Sequence, residues 1–245
     1  IYQNTKFESS KISYKNKKEK TYFLHTEQDN EIKFIIKKIF NLIEKDKINY
    51  FEFGCGDGSF LDKIVENHSH KMTDNILAYD LDVSNHKYIT SDLSYVKEKL
   101  LHFQNASTLI VARHVLEHLQ SIDEFFSLIE NFNNSLIYIE VPNGYKKVLQ
   151  GCFEDLHYEH VNYFSNNSLC ELLRIKGYKI LETFSTLGDE NISIIGYRKD
   201  KLNISQSLFS LKNKYLEFEK NIATLSNKLN SEKIVFWGVG GRCRA

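Results

Sequence analysis

Apolar residues along this chain fall in short runs that alternate with stretches of helical spacing. From Glu31 onward, Ile32, Phe34, Ile35, Ile39, Phe40, Leu42 and Ile43 recur at helical intervals and predict an amphipathic helix. Strand-like runs follow at 48–53, 75–79, 88–91, 108–112 and 135–141, with helical patterns near 59–67, 93–103, 121–133 and 166–176. Repeated strand–helix alternation predicts a parallel sheet covered on both faces. The polar stretch 68–75 reads as an inserted loop. Pro142-Asn143-Gly144 punctuates the fifth strand. Then Leu172–Leu181 reads as a helix, a Gly177 cap and a sixth strand, and Asn191–Tyr197 as a seventh.

The two ends differ from this pattern. Residues 1–20 are polar and lysine-rich, and read either as a solvated arm or as a lid over a ligand. Over 205–230, Leu208, Leu211, Tyr215, Phe218, Ile222, Leu225 and Leu229 predict a long helix suited to packing or to homodimer formation. From Lys233 a strand-like run enters a further glycine loop, Gly238-Val239-Gly240-Gly241, too short to bury itself as a domain. The expected organisation is therefore an arm over 1–30, a main domain over 31–200, a helical linker over 201–232 and the truncated start of a second domain over 233–245.

The first strand carries the strongest chemical signal. Tyr50-Phe51-Glu52-Phe53 runs straight into Gly54-Cys55-Gly56-Asp57-Gly58-Ser59 and a helix start. Glycines at alternate positions permit positive φ and let backbone N–H groups approach a ligand closely. That geometry serves a nucleotide-like ligand in the crevice beyond the strand, although an ordinary glycine turn has the same composition. Ser59 stands where a dinucleotide fingerprint has its third glycine, and Glu52 would repel a pyrophosphate. A ligand with a cationic end, such as S-adenosylmethionine, suits that acid better.

Composition narrows the classes. Thirty-two acidic and thirty-two basic residues balance, so no overall field recruits nucleic acid or a membrane surface. No apolar run reaches membrane-spanning length. Cys55, Cys152, Cys170 and Cys243 are scattered without a Cys-x-x-Cys pair, which argues against a metal knuckle or a disulfide framework and fits reduced thiols in the cytoplasm.

Further candidates lie beyond the glycine turn. A ribose needs a carboxylate at the end of the second strand, and Asp80 stands there, followed by Leu81, with Asp82 as fallback. Asp92, after the third strand, could accept from an adenine amino group or simply cap a helix. After the fourth strand, Arg113-His114-Val115-Leu116-Glu117-His118 contains an inverted zinc-protease spacing. Its first histidine follows a strand directly, which speaks against that motif. Asp155–Ser165 gathers His157, Glu159, His160, Tyr158 and Tyr163 in one loop, where a histidine can take a proton at neutral pH. The alternative is packing by Tyr163 and Phe164, with His160 satisfying a backbone group.

Four motifs in order, Glu52–Gly58, Arg113–His118, Ile139–Asn143 and Tyr158–Ser165, resemble class I S-adenosylmethionine-dependent methyltransferases. Among these, the chain is similar to the sugar C-methyltransferases of deoxysugar biosynthesis over roughly residues 30–240. The resemblance implies an α/β, Rossmann-like class I methyltransferase fold with a seven-stranded, mostly parallel sheet. It further implies that the glycine loop wraps the methionine part of the cofactor, that Asp80 binds its ribose, and that Glu159 and His160 form base machinery. It also makes Phe236–Gly241 the opening of a second Rossmann-like domain. The cysteine-rich zinc module carried by many such enzymes has no counterpart here.

The residues expected at the cofactor are thus Glu52, Gly54, Cys55, Gly56, Gly58, Asp80, Leu81, Asp92 and Arg113. Those expected in catalysis are His160, Glu159 and His114, with no metal. The expected acceptor is a small molecule of sugar or nucleotide-sugar type, methylated on oxygen or carbon. A catalytically silent cofactor-binding subunit and a nicotinamide-dependent oxidoreductase are the competing readings.

Overall fold

The computed structural model describes residues 17–44, 47–81, 86–103, 107–132, 134–150 and 159–199. The predicted helix over 205–230, the segment 233–245, Asp82 and the loop residues Asp155–Tyr158 lie outside the described residues.

Seven strands form one sheet: β1 (Ile48–Phe53), β2 (Met72–Tyr79), β3 (Ile89–Thr90), β4 (Thr108–Arg113), β5 (Ser135–Pro142), β6 (Lys179–Thr186) and β7 (Asn191–Arg198). Their order is β3-β2-β1-β4-β5-β7-β6. The first five are parallel, while β7 runs antiparallel to both β5 and β6. Among the described residues six α-helices accompany them: α1 (Lys17–Asn41), α2 (Ser59–His68), α3 (Leu93–Leu100), α4 (Ile122–Ile129), α5 (Gly144–Leu149) and α6 (Asn166–Ile175).

The sheet separates two apolar cores. On one face Ile35, Ile39 and Phe40 of α1 and Phe60, Leu61 and Ile64 of α2 pack over Tyr50, Leu109, Val111 and Tyr138. On the other, Val96 of α3, Phe125 and Ile129 of α4, and Leu169 and Leu173 of α6 cover Phe51, Ile110, Ala112, Ile137 and Ile139. Successive strand residues thus serve opposite cores, which is why Leu109-Ile110-Val111-Ala112 is apolar at every position rather than at alternate ones.

Three predicted details change. The stretch 68–75 is no inserted loop: α2 ends at His68, a 3-10 turn covers Ser69–Lys71, and β2 is already under way at Met72. Helix α1 reaches back to Lys17, well before the apolar periodicity begins. Helix α5 follows β5 directly, its start capped by the Asn143 side chain accepting from Lys146 N–H.

Strand β1 sits between β2 and β4, so the chain leaves the middle of the sheet in opposite directions from this point. In open α/β sheets such a switch opens a crevice beyond the carboxyl ends of the strands. The candidate residues converge on this edge.

Candidate active site

The turn after β1 is built on left-handed backbone at Gly54 (φ 74°), Gly56 (φ 56°) and Gly58 (φ 84°). Each glycine has a different steric reason. A Cβ on Gly54 would stand 2.1 Å from Val115 Cγ2, whereas one on Gly58 would stand 2.9 Å from Ile89 Cδ1. A Cβ on Gly56 would meet nothing within 4 Å, so the space on that side of the turn is open. The turn is pinned to β2: Tyr79 O accepts from the N–H groups of Gly54 and Cys55, and the Asp80 carboxylate accepts from Gly56 N–H at 2.7 Å. Leu81, beside Asp80, is 82% exposed and thus presents an apolar side chain at the crevice edge.

Glu52 is buried and accepts from the Tyr50 hydroxyl at 2.6 Å. Burial pushes its carboxyl up to about 7, against the opposing pull of the Tyr50 hydrogen bond and the Arg113 charge. Cys55 is also mostly buried, and burial pushes its thiol up to about 12, so it stays an unreactive thiol. Asp92 caps α3, accepting from Ser94 and Tyr95 N–H through Oδ1.

Arg113 and His114 end β4 around a second buried acid, Glu140 of β5. Arg113 donates two hydrogen bonds to Glu140 Oε1, and His114 Nε2 lies 3.1 Å from the same oxygen. Tyr138, Thr186 and Ser193 hydroxyls surround Oε2. Burial alone would raise the Glu140 pKa, but the His114 and Arg113 partners outweigh it and hold the carboxyl far below its usual range. For His114, burial opposes the charged ring, yet Glu117 and Glu140 together push it up to about 9. The ring is therefore protonated at neutral pH and acts as a fixed positive charge, with no lone pair for base catalysis. Its left-handed φ of 52° is uncommon for a residue other than glycine.

The two histidine-bearing segments, separate in sequence, form one structure. Glu117 O accepts from Val161 and Asn162 N–H, and the Asn162 side-chain amide donates to Leu116 O and Leu119 O. A bridge between Asn143 and Phe164 ties the same loop to the end of β5. His160 and His118 rings meet edge to face at 4.7 Å, and His118 Nδ1 lies 2.9 Å from the backbone carbonyl of Glu159. A carboxylate oxygen of Glu117 and one ring nitrogen each of His118 and His160 lie within 4.8 Å of one another. The acid grouped with the His160 ring is thus Glu117, which the sequence had placed in the other segment. His160 and Glu117 line a cavity of about 190 Å³ with Lys147, Asn162, Tyr163 and Glu190.

A family model described as a methyltransferase domain matches residues 23–183. Among solved structures, a chain of the complex containing the Haloferax volcanii Trm112 methyltransferase activator is 10% identical with a TM-score of 0.50, covering 66% of this chain and 88% of that one. A Listeria monocytogenes chain described as an S-adenosylmethionine-dependent methyltransferase is 10% identical with a TM-score of 0.50, covering 71% and 100%. An Archaeoglobus fulgidus chain with a similar description is 16% identical with a TM-score of 0.45, covering 72% and 99%. No curated protein sequence matches the chain. At such identities the likeness is one of fold.

Proposed function

The chain belongs to the methyltransferase-domain family, and on that premise we propose that it methylates a small polyhydroxylated acceptor, of sugar or nucleotide-sugar type, with S-adenosylmethionine as donor. The observation that carries this reading is the Gly56–Asp80 contact. It holds the Asp80 carboxylate against the glycine turn at the switch point of the sheet, which supports a ribose-binding role for that acid. No described helix is long and apolar enough to cross a membrane.

The residues present fit that cofactor. Open space over Gly56 leaves room for backbone contact, and Asp80 offers a carboxylate to ribose hydroxyls. Glu52 supplies a buried acid whose ionisation an adjacent cationic group would favour. Leu81 gives exposed apolar surface beside Asp80. When bound, S-adenosylmethionine supplies a sulfonium methyl open to in-line displacement.

The chain's own contribution is positioning and one proton transfer. His160 faces the cavity and takes the acceptor proton, from a hydroxyl for O-methylation or from a carbon beside a ketone for C-methylation. Glu117 stands beside the ring to stabilise its charged form, and Glu159 belongs to the same machinery, its carbonyl fixing His118. The charged His114 offers a positive site toward which negative charge on an acceptor would be drawn. Lys147, Asn162, Tyr163 and Glu190 provide the mixture of donors and acceptors that a polyhydroxylated ligand requires.

Calorimetric titration with S-adenosylmethionine, its demethylated product and NAD tests the cofactor, followed by labelled-methyl transfer across nucleotide sugars. Binding of the first two and transfer to at least one sugar are expected. Binding of NAD alone would overturn the reading.

A further inference from the structure

Beyond methyl transfer, Glu117, His118 and His160 form a group that methyl transfer does not fully explain. One donor atom from each lies within 4.8 Å of the others. Some point therefore lies no more than about 2.8 Å from all three, against roughly 2.0–2.2 Å for zinc bonds to nitrogen and oxygen. Small side-chain rotations close that gap.

Two independent observations point to a cation. Glu117 is 2% exposed, and its Oε2 is buried without a hydrogen-bond partner among the described residues. A buried carboxylate oxygen left unsatisfied costs free energy, and a metal ion would complete it. His118 is the second. Its Nδ1 stands 2.9 Å from Glu159 O, so Nδ1 carries the proton and Nε2 keeps its lone pair. Nε2 lies on the side of Glu117, 3.9 Å from Oε1. An imidazole that donates one N–H to a backbone carbonyl while presenting the other nitrogen is the usual arrangement of a metal-ligating histidine.

We propose that Glu117, His118 and His160 bind a divalent cation of zinc-like preference, with an open coordination position facing the 190 Å³ cavity. Two imidazoles and one carboxylate favour zinc or cobalt over magnesium or calcium, which take oxygen ligands. Three protein ligands leave a fourth position for water or an acceptor oxygen. The further consequence rests on the methyltransferase reading: a cation uses the His160 lone pair, so metal loading competes with proton uptake there.

The test is titration of the chelator-treated full chain with cobalt(II), followed by visible absorption, with zinc(II) as competitor. Ligand-field bands that appear at micromolar cobalt and vanish on adding zinc are expected. Glu117→Gln, His118→Ala and His160→Ala should each weaken cobalt binding at least tenfold. Melting temperature is read alongside, and the two partly exposed histidine variants keep the test valid if Glu117→Gln fails to fold. Absence of bands, or bands unchanged in the histidine variants, would overturn the site. S-adenosylmethionine binding without cobalt bands would sink the metal site alone; bands without S-adenosylmethionine binding would sink the methyltransferase reading alone.

Discussion

The carboxylate of Asp80, at the end of β2, accepts the backbone N–H of Gly56 at 2.7 Å, joining the ends of two adjacent parallel strands. This contact orients the acid at the switch-point crevice. Asp80→Ala removes a charged acceptor for ribose hydroxyls, a loss of roughly 10- to 150-fold in S-adenosylmethionine affinity. Calorimetry measures it. Since Asp80 lies at the rim rather than in either core, the melting temperature should move little.

Gly54 and Gly56 separate packing from ligand contact. Both have positive φ, but only Gly54 has a neighbour, Val115, in the space a side chain would take. Gly54→Ala combines left-handed strain with overpacking, a loss of about 3 kcal/mol of stability. Gly56→Ala carries the strain alone, about 1 kcal/mol, and places a methyl where the ligand approaches. Urea unfolding should therefore single out Gly54→Ala, while Gly56→Ala remains folded and loses cofactor binding.

Glu140 is the hub of the sheet edge, with Arg113, His114, Tyr138, Thr186 and Ser193 all directed at it. Glu140→Gln leaves a largely buried guanidinium without its carboxylate. Removing one partner of a buried ion pair costs about 3–5 kcal/mol. A drop of that size in denaturant unfolding at pH 7 is expected. The difference should narrow on acidification, because the wild-type stabilisation by a depressed carboxyl is lost as pH falls below its unfolded value and through its folded one.

How much of this could be read from residue types depends on which atoms make the contacts. The strand over Thr108–Ala112 was legible because both of its faces are buried and every position from Leu109 to Ala112 is apolar. The first half of β2 was not: Thr73, Asp74 and Asn75 are polar and at least partly exposed, so they read as a loop. The opening turns of α1 carry no sustained apolar periodicity in the sequence. The glycine turn was legible because its positive φ angles demand glycine, and the structure sets the Asp80 carboxylate against that turn. The union of the two histidine segments was hidden, since it is made by main-chain N–H groups of Val161 and Asn162 reaching Glu117 O. Asn162 was the available signal, a side-chain amide in a histidine-rich loop that holds Leu116 O and Leu119 O.

Glu52 gives a pH-dependent prediction with a definite sign. Its folded carboxyl stands at about 7 against an ordinary 4.5, chiefly through burial. Between those values the folded protein keeps a proton that the unfolded chain has lost, so stability from this group falls as pH rises and is level above 7. Glu52→Gln has no such dependence and keeps an acceptor for Tyr50. Relative to the parent it should gain about 3 kcal/mol between pH 4.5 and 7, from about 1.36 kcal/mol per pKa unit. Cofactor binding should run the other way, since a cationic ligand favours the ionised acid. Parent affinity rises with pH toward 7, and Glu52→Gln affinity stays flat and weaker.

His160 decides whether the cavity is catalytic. Its ring lines the cavity and meets His118 edge to face, while Glu117 contributes the nearby carboxylate oxygen. A positioned proton acceptor contributes roughly 10²–10⁴-fold, so His160→Ala should lower kcat by that range. S-adenosylmethionine affinity should be unchanged, because the ring lies with the acceptor loop and not with the glycine turn. Glu117→Gln removes the charge that stabilises the imidazolium and should cost more in kcat than Glu159→Gln, whose backbone carbonyl still holds His118. Single-turnover methyl transfer at saturating donor measures all three variants. A larger loss in Glu159→Gln than in Glu117→Gln would reverse the assignment of the two acids, and full activity in His160→Ala would remove the histidine from the chemistry.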